Sequence, residues 1–227
     1  NYLNINDVFS TIKDKAFSCS NGKDPLFLNF RIYSNKKEIY PKLAGAIGEF
    51  FGNKLLSPEY GKEGISGEIF NNSLKNKNMC LEPLSVFANK VIIIAHHETL
   101  NFKNHKNEFY QLVNLTDRSQ SFSYKRYDKI KTAPDISSLK NTNKGVITCV
   151  MPDWSLLTDN YNTLINFNSG CQMNLMNYQN LDSNLRYYLN YFNKNPLTNG
   201  GPSAFRLKPP NLRFTGISIK RPRPQRP

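Results

Sequence analysis

Gly170-Cys-Gln-Met-Asn-Leu-Met-Asn-Tyr-Gln179 and, further on, Phe205-Arg-Leu-Lys-Pro209 are the stretches on which the fold turns. Residues 171–178 carry the apolar and β-forming content of a strand, and residues 181–192 return to helical spacing. Asn199-Gly-Gly201 supplies a turn, after which residues 204–208 read as a final strand. A strand, a helix, a glycine-rich turn and a strand make one β/α unit closed by another strand.

Working outward, the same alternation recurs. The continuous β-branched run of residues 90–95 reads as a strand covered on both faces, residues 25–33 as a buried strand, residues 145–151 as another strand, and residues 111–115 as a further candidate. Helical spacing appears in residues 7–17, through Val8, Phe9, Ile12 and Ala16, and in residues 38–52, through Leu43, Ala46, Ile47 and Phe50. Residues 57–80 are rich in Gly, Ser, Asn and Lys and read as a surface excursion. Strands alternating with helices predict an α/β fold with parallel strands, either a TIM-type (β/α) barrel or an open doubly wound sheet. Neither GxGxxG nor GxxxxGK[ST] is present to favour the nucleotide-binding version. About five strand signals fall short of the eight of a closed barrel, so the expectation is a partial one.

The 227 residues, 39% hydrophobic and 12% aromatic, suffice for a sizeable core. Residues 1–215 are expected to form the barrel segment and residues 216–227 a basic Pro/Arg-rich tail in an extended polyproline conformation. No apolar run reaches the length of about 18 needed to cross a membrane, so the chain is expected to be soluble or peripheral. Residues 1–10 have neither the basic nor the apolar region of a signal peptide, and no initiator Met. Thirty Lys and Arg against 17 Asp and Glu give a formal charge of +13, which favours anionic lipid, phosphorylated ligands or nucleic acid. The four cysteines, Cys19, Cys80, Cys149 and Cys171, lack CxxC spacing and read as free thiols.

The GCQMNLMNYQ stretch resembles the strand near the end of the catalytic barrel of the phosphoinositide-specific phospholipase C family, and FRLKP resembles that family's last strand. Asn6-Asp-Val-Phe-Ser-Thr-Ile-Lys-Asp-Lys-Ala-Phe17 with Pro25-Leu-Phe-Leu28 is similar to the helix and strand that follow its second catalytic histidine. Leu84-Ser-Val-Phe-Ala-Asn-Lys-Val-Ile-Ile-Ile94 is similar to the lead into a strand ending in phosphate-binding lysines. The resemblance implies the later half of the barrel, with its first strands before Asn1 on the same polypeptide or a tightly associated chain. It also implies two catalytic histidines upstream, so no catalytic residue is assigned to these 227 residues.

By the same register Arg31 stands where calcium-dependent members place a metal-binding Glu, and a guanidinium cannot ligate Ca²⁺. No cofactor or metal is therefore expected. Arg31 either supplies positive charge itself or sits in a structural ion pair. Ile94 and His96 stand at the lysine positions, so one cation is lost and the other depends on pH. Cys149 and Met151 replace an Arg and a Tyr that meet the headgroup, while Ser121 aligns with a substrate-contacting Ser. These substitutions predict a degenerate, non-catalytic binding or structural component at an anionic surface. Reduced members of the family occur among large DNA viruses as well as cells, so a virion-associated role falls within this expectation. The alternatives are a phosphoric diester hydrolase completed by upstream histidines, and a basic nucleic-acid or assembly scaffold.

Other groupings have plainer readings. His96-His97-Glu98 with His105 suggests a metal site, but neighbours on an extended segment point to opposite faces, so strand-end histidines are preferred. Asp153-Trp154 and Asp159-Asn-Tyr161 read as a loop cap with a partly buried Trp rather than an acid–base pair. Tyr187, Tyr188, Tyr191 and Phe192 read as a packing face of a helix rather than a stacking platform for bases. Arg221, Arg223 and Arg226 of the tail fit an RxxPxxP ligand pattern, although a nonspecific electrostatic contact with a partner is preferred.

Overall fold

The computed structural model describes residues 2–18, 23–34, 36–60, 79–96, 108–119, 121–155, 158–194 and 203–214. Its main elements follow in the order α1 (Ile5–Lys15), β1 (Leu26–Phe30), α2 (Ile39–Phe51), β2 (Val91–Ala95), α3 (Glu108–Leu112), β3 (Leu115–Thr116), β4 (Phe122–Arg126), α4 (Tyr127–Lys131), α5 (Ile136–Gly145), β5 (Ile147–Met151), α6 (Thr163–Asn168), β6 (Met173–Asn174) and α7 (Ser183–Asn193). Short polar side chains open four of the helices. Asn4, Asp135, Asn162 and Asp182 each accept a backbone N–H of the first turn, from Asn6 (3.0 Å), Ser138 (2.9 Å), Leu164 (3.0 Å) and Leu185 (2.8 Å). Each satisfies a donor that the helix itself leaves unpaired.

The strands form two three-stranded sheets, β1-β2-β3 and β4-β5-β6, and every pairing is parallel. Side chains alternate across a strand, so each has two registers of contact. Leu26, Leu28 and Phe30 with Val91, Ile93 and Ala95 pack outward on Phe9 of α1 and Tyr40, Ile47 and Phe51 of α2. The opposite parity, Phe27, Ile92 and Ile94, joins Leu115, Phe122, Tyr124, Ile147, Cys149 and Met173 in one cluster. Both sheets therefore share an interior and are arcs of a partial (β/α) barrel. Outside the second arc, Val150 packs with Ile130, Tyr161 and Cys171 beneath α4 and α6.

The expected helices at residues 7–17, 38–52 and 181–192 are found, shifted at their ends by the caps. Residues 111–115 differ from expectation. Helix α3 runs to Leu112, and only Leu115–Thr116 joins the sheet, because Asn114 interrupts the run: its Oδ1 accepts the Ile93 N–H at 3.0 Å. The strand expected over residues 171–178 shortens to Met173–Asn174, with single ladder bonds from Gln172 N–H to Thr148 O and Leu175 N–H to Val150 O. Beyond it a side chain takes over from the sheet, as Asn160 Oδ1 accepts the Asn177 N–H at 2.6 Å.

Residues 204–208 make no strand. Ser203 N–H bonds Phe192 O, Phe205 packs 6.2 Å from Phe27, and Arg206 Nη1 donates to Tyr191 O at 2.7 Å. Pro209 and Pro210 offer no N–H to a ladder. Strand β4 was absent from the sequence reading because Phe122-Ser-Tyr-Lys-Arg126 alternates and ends in charge, without a continuous apolar run.

Candidate functional site

Parallel strands deliver their C-terminal ends to one side of a barrel, and there the chain forms an open depression of about 430 Å³. Arg31 follows β1, His96 follows β2 and Asp117 follows β3; Ser123, Tyr124 and Arg126 come from β4, Met151 ends β5, and Trp154 stands in the loop beyond. The parity that fills the interior also sets most of this lining, Ser123 being of the opposite parity. Phe122, Tyr124 and Arg126 lie two residues apart, so a strand pointing Phe122 inward carries Arg126 to the mouth.

The floor is tied across the interior. The Tyr124 hydroxyl donates to Asn29 Oδ1 at 2.8 Å, and the His96 ring stacks on Tyr124 with centroids 4.1 Å apart and planes inclined by 18°. Burial, reinforced by the nearby Cys149 thiol, raises the Tyr124 phenol well above its ordinary pKa, so it serves as a neutral donor. His96 N–H bonds Phe30 O at 3.2 Å, and the residue is only 6% exposed. Arg126 Nη1 donates to Pro152 O at 2.7 Å while its guanidinium lies 4.1 Å from the centre of the Trp154 ring. On the β1 side the Arg31 guanidinium lies 5.5 Å from the Tyr33 ring.

Among the residues singled out from sequence, Arg31, His96 and Met151 line the depression. Ser121 lies outside it, 1% exposed at the foot of β4, and Ser123 is the serine on the lining. Ile94 and Cys149 are buried in the interior below. Burial pushes the Cys149 thiol up to about 12, so it carries no nucleophile at neutral pH. His97, Glu98, His105, Arg221, Arg223 and Arg226 lie outside the described residues. Among the described residues no three His, Cys, Asp or Glu side chains converge as metal ligands.

Asp153 is a cap, its Oδ1 accepting the Asp128 N–H at 3.0 Å at the start of α4, but Trp154 is 82% exposed rather than partly buried. The aromatic face of α7 packs on α6 rather than on the strands, with Tyr191 stacked 4.3 Å from Phe167. Sequence reading passed over Asp117, Tyr124 and Arg126. Period-two alternation in residues 122–126 was the available signal for the last two.

The start of the signature stretch, Gly170 to Gln172, sits at the other end of the barrel, where it holds backbone together. Gly170 adopts φ 77°, and its carbonyl with that of Asn143 receives the Lys208 ammonium at 3.1 and 2.9 Å. Gln172 Oε1 accepts the Thr148 N–H at 2.9 Å, and its Nε2 donates to Asn143 O at 2.7 Å and Val146 O at 3.0 Å. Asn143 completes the net, donating to Ser169 O at 2.8 Å and accepting from Thr148 Oγ1 at 2.6 Å. The two motif stretches thus meet through Lys208, beneath β5 and β6 and away from the mouth.

The architecture is similar to that of two crystal structures of PLC21. The L. pealei protein aligns with a TM-score of 0.61 and 20% identity over 84% of this chain and 28% of that one. The S. officinalis protein aligns with a TM-score of 0.57 and 21% identity over 82% of this chain and 27% of that one. No family model matches the sequence, and no curated protein does. At this identity the likeness establishes the fold, that of part of a phospholipase C barrel. The chain spans 28% and 27% of the two proteins it aligns with.

Proposed function

We propose that this chain is an anion-binding module, a segment of phospholipase C-type barrel whose mouth holds phosphate groups displayed by a lipid or other phosphorylated surface without hydrolysing them. The observation that carries this reading is the placement of two guanidinium groups, Arg31 and Arg126, on the lining of one depression. Guanidinium suits phosphate because its planar fork of donors matches the phosphate oxygens. Each is braced by an aromatic ring, Tyr33 or Trp154, which lowers the entropy lost on binding. The net charge of +13 adds a long-range attraction to the same class of surface.

The non-catalytic part of the reading is supported by the interior below the mouth. Ile94 and Cys149 offer neither charge nor a proton near neutral pH, and Met151 on the lining has no donor. General acid–base chemistry on a phosphodiester needs two positioned proton carriers, and of the described lining side chains His96, one candidate beside Asp117, is only 6% exposed and stacked on Tyr124. A second reading, hydrolysis by a larger barrel, draws on the pairing of β1 only with β2 and β6 only with β5 among the described residues. Those edges suit further strands from the same polypeptide or a tightly associated chain.

Vesicle co-sedimentation tests the proposal. Arg31→Gln with Arg126→Gln is expected to weaken binding to phosphatidylcholine vesicles containing phosphatidylinositol 4,5-bisphosphate by about tenfold or more. Lys15→Gln with Lys42→Gln removes the same charge from exposed positions on α1 and α2 and is expected to change it little. Equal losses in the two double variants would show binding by net charge alone. Release of inositol phosphate by the chain would overturn the non-catalytic assignment.

A further inference from the structure

The only tryptophan of the sequence stands at the mouth with 82% of its surface exposed. An indole left in water forgoes the burial that makes aromatic side chains useful in cores. Here its plane is held in place. The Arg126 guanidinium covers it at 4.1 Å, and Arg126 is itself anchored to Pro152 O at 2.7 Å, two residues before the indole. That anchor uses one of the five N–H donors of the guanidinium. Trp154 is thus an oriented, accessible ring beside a cation on the lining of a depression that also contains Arg31, Asp117 and Ser123.

These groups differ in what they accept. A guanidinium on the lining suits a phosphate. The Asp117 carboxylate repels a second anion close to it and accepts from neutral O–H or N–H groups. Trp154 suits the face of a flat ring, since stacking on an aromatic is available to any planar base. An inositol phosphate offers hydroxyls to Asp117 and Ser123 but, like inorganic phosphate, brings no flat ring to Trp154. Resting on the anion-binding reading above, we infer that the mouth takes a nucleoside monophosphate. Its phosphate lies between Arg31 and Arg126, its sugar hydroxyls face Asp117 and Ser123, and its base stacks on Trp154. The volume, about 430 Å³, falls within the range of small-ligand sites.

Trp154 is its own reporter, because no other indole contributes to the fluorescence. The 227-residue chain would be titrated with adenosine 5′-monophosphate, inositol 1-phosphate and inorganic phosphate, following indole emission and, in parallel, heat of binding. Expected are quenching by the nucleotide and binding about tenfold tighter than for the other two. Trp154→Leu should bring the nucleotide down to the inositol phosphate level while leaving phosphate binding in place. Circular dichroism would verify that this exposed substitution leaves the fold intact. Equal affinities for all three ligands, unchanged in Trp154→Leu, would overturn the nucleotide assignment and leave the anion site standing. Binding of none of them would overturn both.

Discussion

Gly170 shows how one residue can mark a fold without touching its chemistry. Its φ of 77° lies in the left-handed region, and a Cβ there would meet Asn143 Cβ and Leu212 Cδ2 at 3.6 Å, ordinary contact distances. The requirement for glycine is therefore conformational rather than steric. Gly170→Ala is expected to destabilise the protein by about 1–2 kcal/mol. Urea denaturation would measure the loss, and anion binding at the mouth should be unchanged because the network around Gly170 lies at the opposite end of the strands. A matching loss of phosphate affinity would tie the two ends together and contradict that separation. Arg126 has the opposite character. Alternation along residues 122–126 puts it on the same face as Phe122, but its significance comes from the company it keeps.

Among the elements, α7 illustrates how loops and helices are fastened. Asp182 accepts the Leu185 N–H at 2.8 Å through Oδ1 and the Asn160 N–H at 2.7 Å through Oδ2, so one carboxylate caps the helix and pins the loop after β5. Asp182→Ala removes both acceptors and is expected to cost about 2 kcal/mol, more than the ~1 kcal/mol of an ordinary cap. Thermal unfolding would measure it, and Asp182→Asn, which keeps an acceptor oxygen, should recover part of the loss. Helical spacing located α1, α2 and α7 because amphipathic helices announce themselves locally. The final stretch was misread for an equally physical reason. Residues 204–208 have the composition of a strand, but backbone groups that a ladder would need are taken locally: the Phe205 N–H and carbonyl bond the Ser203 hydroxyl, and the Lys208 carbonyl accepts from Arg213 Nε.

For the whole molecule, the buried thiols and phenols make stability depend on alkaline pH. Burial raises Cys149 from an ordinary 9.0 to about 12, and Cys171 from 9.0 to about 11 despite its hydrogen bond from Asn143. Their contribution is fully present below pH 9.0. Above it the unfolded chain releases protons that the folded chain retains, so stability falls until the folded thiols ionise at about 11 and about 12. The buried phenols of Tyr124, Tyr161 and Tyr188 act in the same sense, while Lys208, whose pKa burial lowers, opposes them. Urea midpoints should drop from about pH 9.0 up to about pH 12, and Cys149→Ala with Cys171→Ala should flatten the decline. An unchanged slope in that variant would assign it to other groups.

Local pattern was sufficient for α1, α2 and α7 and for β1, β2 and β5, whose side-chain periods are regular, but not for β4 or for residues 204–208. Arg31 and His96 came from the family resemblance rather than from pattern, and both line the depression, after β1 and β2. Only closure of the two sheets around one interior could bring Asp117, Arg126 and Trp154 beside them, because these residues come from separate strand ends and a loop that meet nowhere in the chain's order. The start of the signature stretch, Gly170 to Gln172, lies at the far end. Side-chain alternation is a property of each strand, whereas shared occupancy of a mouth depends on how all the strands are arranged.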